Sequence, residues 1–184
     1  MVKWNRLLFI TASVGVLAAC EGAVNENSND ATEETADTEE TADTTTGATQ
    51  VVVNDEESLL EGLSSDGAWI VIFEDDITTE EELVMVDGFT NNAGEPERKL
   101  ALYTQDEDRN VTDTFTLSAP SITIQNESTR LQNGTFEGDV YVEAENFRLI
   151  GGTIDGDLIF SSEELQESAE LDEGTVTGEI RVEE

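Results

Sequence analysis

Leu131-Gln132-Asn133-Gly134-Thr135-Phe136-Glu137-Gly138-Asp139-Val140-Tyr141-Val142 recurs as Leu149-Ile150-Gly151-Gly152-Thr153-Ile154-Asp155-Gly156-Asp157-Leu158-Ile159-Phe160. It recurs again as Leu171-Asp172-Glu173-Gly174-Thr175-Val176-Thr177-Gly178-Glu179-Ile180-Arg181-Val182. Gly134, Gly152 and Gly174 coincide, as do Thr135, Thr153 and Thr175, and Gly138, Gly156 and Gly178. The apolar columns read Leu131/Leu149/Leu171, Phe136/Ile154/Val176, Val140/Leu158/Ile180 and Val142/Phe160/Val182, and the step from Leu149 to Leu171 is longer than the step from Leu131 to Leu149. A repeat near twenty residues, turned at fixed glycines and rich in β-branched positions, is the length of one solenoid coil, whose open face is buried only by its neighbour. Stacking sets equivalent residues about 4.8 Å apart in parallel ladders, so the four columns become the interior. The longer second step predicts that the extra residues, around Ser161 to Ser168, loop out on one side.

Toward the N-terminus, apolar and polar residues alternate in short runs: Trp69 to Phe73, Leu83 to Val86, Leu100 to Tyr103 and Phe115 to Leu117. These read as strands. One helix is expected, Glu56 to Ser64, capped by Asn54 or Asp55 and placing Leu59, Leu60 and Leu63 on one face. At about 22 residues per coil, residues 51 to 184 make about six coils, a rod near 30 Å long. The helix would cover the first coil, supplying the cap that a solenoid end requires.

Two resemblances enter here. The strand, helix and following strands from Val51 to Gly88 resemble the N-terminal entry of right-handed parallel β-helices of the pectin-lyase-like group. The rungs Gly152-Thr153-Ile154-Asp155-Gly156-Asp157-Leu158 and Gly174-Thr175-Val176-Thr177-Gly178-Glu179-Ile180 resemble those of bactofilins, the polymer-forming cytoskeletal β-helices. Together they imply an all-β fold, a right-handed parallel β-helix (β-solenoid) of about six coils with a short N-terminal capping helix. The bactofilin likeness covers about the last third of the chain, and bactofilins usually lack a cleaved export signal.

Such a signal is what the first residues spell. Lys3 and Arg6 precede Leu7 to Ala19, a run without charge, as in the n-region and h-region of a signal peptide. Thirteen residues at about 1.5 Å each span roughly 20 Å, short of a hydrocarbon core of about 30 Å. The run ends Leu17-Ala18-Ala19-Cys20, which resembles a bacterial lipobox. That resemblance implies lipidation of Cys20 and cleavage before it, and hence a domain held to the lipid bilayer of the cell envelope. Glu21 then favours the outer membrane if the organism has two membranes, and otherwise the outer face of the cell membrane. Residues 21 to 50 hold nine acids, eight threonines and five alanines, with no aromatic, proline or basic residue. No core can form from that composition. Glu33-Glu34-Thr35-Ala36-Asp37-Thr38 repeats as Glu39-Glu40-Thr41-Ala42-Asp43-Thr44, a low-complexity spacer that its like charges extend. The expected organisation is a cleaved signal at 1–19, a lipidated cysteine and disordered acidic tether at 20–50, and one domain at 51–184.

Charge narrows the function. The 184 residues carry 8 Lys+Arg against 43 Asp+Glu, a formal charge of -35, with no histidine and one cysteine. An internal disulfide, a histidine-ligated zinc and every Ser-His or Cys-His nucleophile are excluded. So is nucleic acid as a partner surface, because phosphates would be repelled. The acidity suits a saline or alkaline habitat, or cation handling. The column Asp139, Asp157, Glu179 either invites Ca2+, joined by Glu137 and Asp155, or serves the turns and faces water. Arg130, Arg148 and Glu170 share another column, which predicts an Arg148–Glu170 pair across one rung. The acidic runs Asp106-Glu107-Asp108 and Glu163 to Glu170 lack an EF-hand pattern, and acids this abundant single out no glycosidase pair. Trp69 is expected in the core.

The expected protein is a lipoprotein displaying a non-catalytic β-helix, structural or adhesive, self-associating through its terminal coils. The alternative is a module that binds polysaccharide, or processes it with Ca2+, along a face flanked by Thr90 to Lys99 and Ser161 to Ser168.

Overall fold

The structure, a computed structural model, describes residues 48–183. The expected signal segment, Cys20, nearly all of the expected tether and Glu184 lie outside the described residues. Strand β1 (Ala48–Val53) leads through Asp55 into helix α1 (Glu56–Leu63) and then β2 (Ala68–Phe73). β3 (Ile77–Thr78), β4 (Leu83–Met85) and β5 (Arg98–Ala101) follow, and β6 (Tyr103–Gln105) and β7 (Val111–Thr114) form a hairpin. The remaining strands are β8 (Thr116–Ile124), β9 (Thr129–Gln132), β10 (Thr135–Val142), β11 (Arg148–Ile150), β12 (Thr153–Asp155) and β13 (Leu158–Phe160). Helix α2 (Glu163–Ser168) separates them from β14 (Thr175–Val176) and β15 (Ile180–Val182).

The architecture is mostly β with parallel sheets. The first sheet runs β1-β2-β5-β9-β11, every pair parallel. In the second, β8 and β10 lie side by side at the centre; β3 and β4 pair with β8, β12 and β13 with β10, and β14 and β15 lie beyond. All of those pairings are parallel as well. Register partners in the first sheet are Val51, Val71, Leu100, Leu131 and Leu149, so the chain returns repeatedly to one line. The returns from Val71 to Leu100 and from Leu100 to Leu131 are the longest, because they carry the loop before β5 and the β6–β7 hairpin.

Side chains two apart along a strand share a face, so parallel registry turns the sequence columns into ladders. Ile77, Leu117, Phe136, Ile154 and Val176 form one. Leu83, Ile122, Val140, Leu158 and Ile180 form the next, and Met85, Ile124, Val142, Phe160 and Val182 the third. With the first-sheet column they make one core, in which Leu117, Ile122, Phe136, Val140 and Leu158 are all 0% exposed. Each such side chain contributes about 1.5–3 kcal/mol on burial.

The repeated glycines have a steric cause. A Cβ on Gly156 would lie 2.1 Å from the Gly138 carbonyl oxygen, and one on Gly178 would lie 2.4 Å from that of Gly156. Gly138, at φ +145, meets the Ala119 oxygen at 2.0 Å in the same way. Successive backbones touch at this corner, so no side chain fits. Here β8 carries an extra residue against β10, because Ser118 faces Glu137 but Ser121 faces Asp139. Pro120, which lacks an N–H, sits in that irregularity, where a missing donor is tolerated.

α1 forms where expected. Ser58 N donates to Asp55 Oδ1 at 2.8 Å, and the Asp55 amide donates back to Ser58 Oγ at 3.3 Å, closing a capping box. Leu59 and Leu63 are buried, but Leu60 is 41% exposed, because one residue along a helix turns the side chain by about 100°.

Several further expectations change. Leu171 is exposed rather than core, because it lies next to the last strands, β14 and β15, beyond which no strand pairs among the described residues. Ile180 is exposed for the same reason. Residues Ser161 to Ser168 do project, but as a second helix capped by Ser162, with Leu165 and Ala169 packed on the core. The run Leu100 to Tyr103 divides at Leu102, where the chain leaves β5 for the hairpin. Trp69 is half-buried and outside the main core cluster. The strand structure begins at Ala48, ahead of the Val51 boundary that composition suggests.

Candidate functional site

The outer face of the first sheet gathers three of the domain's six basic residues. Gln50, Ile70, Lys99, Arg130 and Arg148 occupy one outward column in register, and a parallel bridge sets Glu170 beside Arg148. The expected Arg148–Glu170 pair forms at 2.7 Å, and Asp172 lies 3.3 Å from the same guanidinium. Arg130 pairs with Glu97. Both pairs are partly exposed, where solvent screening holds an ion pair to about 0–1 kcal/mol.

Two depressions flank this column. A groove of about 330 Å3 has Val52, Ile70, Ile72 and Ala101 as its floor and Lys99 and Tyr103 on one wall. Lys99 Nζ donates to the Tyr103 hydroxyl at 2.8 Å and sits 4.9 Å from the ring centroid. The hairpin that carries Tyr103 is closed by Asp106, which accepts from the Asn110 amide at 2.8 Å. Hydrogen bonds from the Asn110 side chain and backbone hold the Asp106 carboxyl below its ordinary range. The Asp106-Glu107-Asp108 run is therefore a hairpin tip. A second cleft of about 390 Å3 is polar, lined by Arg130, Arg148, Asn91, Asn146, Ser128 and Glu97. Its wall is the 89–97 loop, tied down by Asn91 Nδ2 donating to Glu97 at 2.8 Å and by the Phe89 amide donating to buried Asn126 at 2.8 Å. Of the two flanking segments expected from the sequence, Thr90 to Lys99 thus borders this cleft, and Ser161 alone of the other lines a separate depression on the second sheet. Helix α2 does not contribute to either depression, and the β6–β7 hairpin takes its place beside the first groove.

Asp139, Asp157 and Glu179 lie in line on successive rungs, and the first two turn a carboxylate to the backbone of the rung that follows. The Asp157 amide donates to Asp139 Oδ1 at 2.9 Å, and the Glu179 amide donates to Asp157 Oδ1 at 2.9 Å. Arg181 Nε stands 3.6 Å from the other Asp157 oxygen. In the neighbouring column Ser118 donates to Glu137 at 2.9 Å and Thr177 to Asp155 at 2.6 Å. Amides and hydroxyls thus supply the donors that stacked acids need. Among the described residues, no group of three or more acids converges as a metal site would require. Cys20, the expected lipidation site, lies outside the described residues.

Arg98 is the residue that sequence reasoning missed. It is 0% exposed, and its guanidinium donates to the Val86 oxygen at 2.8 Å, the Gly62 oxygen at 2.9 Å and the Ser64 oxygen at 3.3 Å. Phe89 stacks against it at 4.0 Å. Gly62 and Ser64 are the C-terminal end of α1, whose last turn has no basic residue of its own. Arg98 therefore supplies the cation that the helix dipole favours there. Burial pushes its pKa down to about 10, which leaves it charged at neutral pH. Sealed from solvent, it holds α1 to β5 and to the loop before it.

No family model, no curated protein and no solved structure matches this chain.

Proposed function

We propose that this chain is a lipid-anchored protein of the cell envelope that displays a non-catalytic, right-handed parallel β-helix of about six coils as a self-associating scaffold. Cys20 is the acylated residue, the acidic segment after it is the spacer, and the outer membrane is the destination where two membranes exist. Parallel register pairs one repeat apart, Leu131 with Leu149 in the first sheet and Val140 with Leu158 in the second, support the helix reading.

The observation that carries the scaffold role is the difference between the two ends. At the first, α1 lies on β1, β2 and β4 and buries Leu59 and Leu63. At the other, β14 and β15 have no strand beyond them among the described residues, and Ile180 and Leu171 are exposed. An unpaired edge with apolar side chains is a template for another chain. Because one end is covered, association through the other stops at two. In an antiparallel meeting of two β15 edges centred on Ile180, Glu179 of each copy faces Arg181 of the other, which selects that register. Sedimentation velocity of the full chain in about 1 M salt, to screen the charge, tests this. A concentration-dependent dimer that Ile180→Glu abolishes is expected, and a monomer at every concentration refutes it. Loss of palmitate incorporation in Cys20→Ser tests the anchor.

A second reading, a polysaccharide-binding module, is favoured by the polar cleft at Arg130 and Arg148. Its Ca2+-dependent form would place the ion at Asp139, Asp157 and Glu179, and requires Ca2+ to raise the melting temperature beyond Na+ at equal ionic strength.

A further inference from the structure

In the second sheet, outward positions are mixed, Ser118, Ser121, Thr123, Glu137 and Asp139 alongside Val84 and Tyr141. The first-sheet groove is more continuously apolar. Its floor presents Val52, Ile70 and Ile72, three branched aliphatic side chains on two adjacent strands, with Val52 43% exposed. An apolar floor with a few polar groups at its edge is the usual make-up of a small-ligand site.

Above this floor stands Lys99. Arg130, Arg148 and Arg181 each have a carboxylate within ion-pairing distance, whereas Lys99, like Arg98 and Arg109, has none among the described residues. Its hydrogen-bond partner is the neutral Tyr103 hydroxyl, which orients the ammonium and leaves two of its three donors free. Tyr103 is only 7% exposed, so its ring offers no stacking platform for a sugar. The volume of about 330 Å3 is at the small end of ligand pockets.

We propose that this groove binds a small amphipathic carboxylate, such as a medium-chain fatty acid. Its apolar body lies on Val52, Ile70 and Ile72, and its carboxylate accepts from Lys99 Nζ. Gln50, Thr104 and Gln105 on the rim supply polar contacts at the mouth, while Glu74, the acid of the lining, follows Ile72 at the end of the groove away from Ile70 and its register partner Lys99. Neither half of the ligand suffices: the floor alone gives no orientation, and one exposed ammonium alone binds anions weakly in salt. The site is independent of the anchor and of the C-terminal edge.

The test is a titration of the full 15N-labelled chain followed by amide chemical shifts, in about 0.5 M salt so that the net charge is screened. Octanoate is the probe, octyl glucoside carries the same chain without a carboxylate, and acetate carries the carboxylate without the chain. Saturable shifts at Val52, Ile70, Ile72 and Lys99 are expected with octanoate, at least about tenfold tighter than with either control, since a charge-assisted hydrogen bond is worth that much. Lys99→Met should weaken octanoate binding about tenfold while leaving the second-sheet amides unshifted, and Lys99→Arg should restore it to within about threefold. Octanoate without effect at these amides, equal binding of either control, or undiminished binding by Lys99→Met would each overturn the proposal.

Discussion

Replacing Arg98 by methionine removes the guanidinium and keeps most of the apolar stem. The loss can be worked from its contacts. The bonds to Val86 and Gly62, at 2.8 and 2.9 Å, are charge-assisted, each worth about 1.5–3 kcal/mol, and the 3.3 Å bond to Ser64 adds less. Against this, Arg98→Met no longer has to desolvate a buried cation, the same cost that lowers the pKa of Arg98 to about 10. Of the carbonyls left behind, those of Gly62 and Ser64 are at the end of a helix and that of Val86 follows β4, and they cannot all turn to water. The net loss should be about 3 kcal/mol, read as a fall in the urea midpoint at unchanged slope. Amide exchange should accelerate first at Leu59 and Leu63, because α1 is the element released. Arg98→Lys should recover little, since an ammonium cannot span three carbonyls as a fork does. A loss below about 1 kcal/mol, or early exchange elsewhere, would refute the account of Arg98 as the pin of the capping helix.

Gly156→Ala should destabilise by about 2–3 kcal/mol in the same urea assay, because its Cβ would lie 2.1 Å from a backbone oxygen that can move only by opening the ladder. Glu170→Gln, which removes the exposed partner of Arg148, should change stability by no more than about 1 kcal/mol. Acidification should loosen α1. Hydrogen bonds from the Ser58 hydroxyl and amide hold the Asp55 carboxyl below its ordinary value, so its contribution is complete above that value and is lost as pH falls through the lowered one. Amide exchange at Ser58 and Leu59 should rise over that interval in the wild type and not in Asp55→Asn. Equal acid responses in both would contradict the capping box.

The ladders were legible because parallel stacking makes position within a rung equivalent to position within a repeat. Phe136, Ile154 and Val176 could be aligned by eye, and they pair in register. The same logic fails where the loop before β5 and the β6–β7 hairpin lengthen the return: Ile70, Lys99 and Arg130 share a column but no local sequence likeness. Arg98 was hidden because its partners are backbone carbonyls on other elements, those of Val86 and Gly62, which no side-chain motif marks. The acid column was visible, but its chemistry was not. A carboxylate that accepts an amide of the next rung looks, in sequence, the same as one waiting for a cation. The groove was missed because Val52, Ile70 and Ile72 read as strand residues, and only the register assigns them to the outer face.

The most direct test is the set of long-range backbone NOEs in the last third of the chain. The account predicts parallel-sheet contacts between Val140 and Leu158 and between Leu158 and Ile180, with Phe136 to Ile154 and Ile154 to Val176 at the same level of the stack. Antiparallel contacts between neighbouring segments, such as Thr153–Asp155 against Leu158–Phe160, would contradict it.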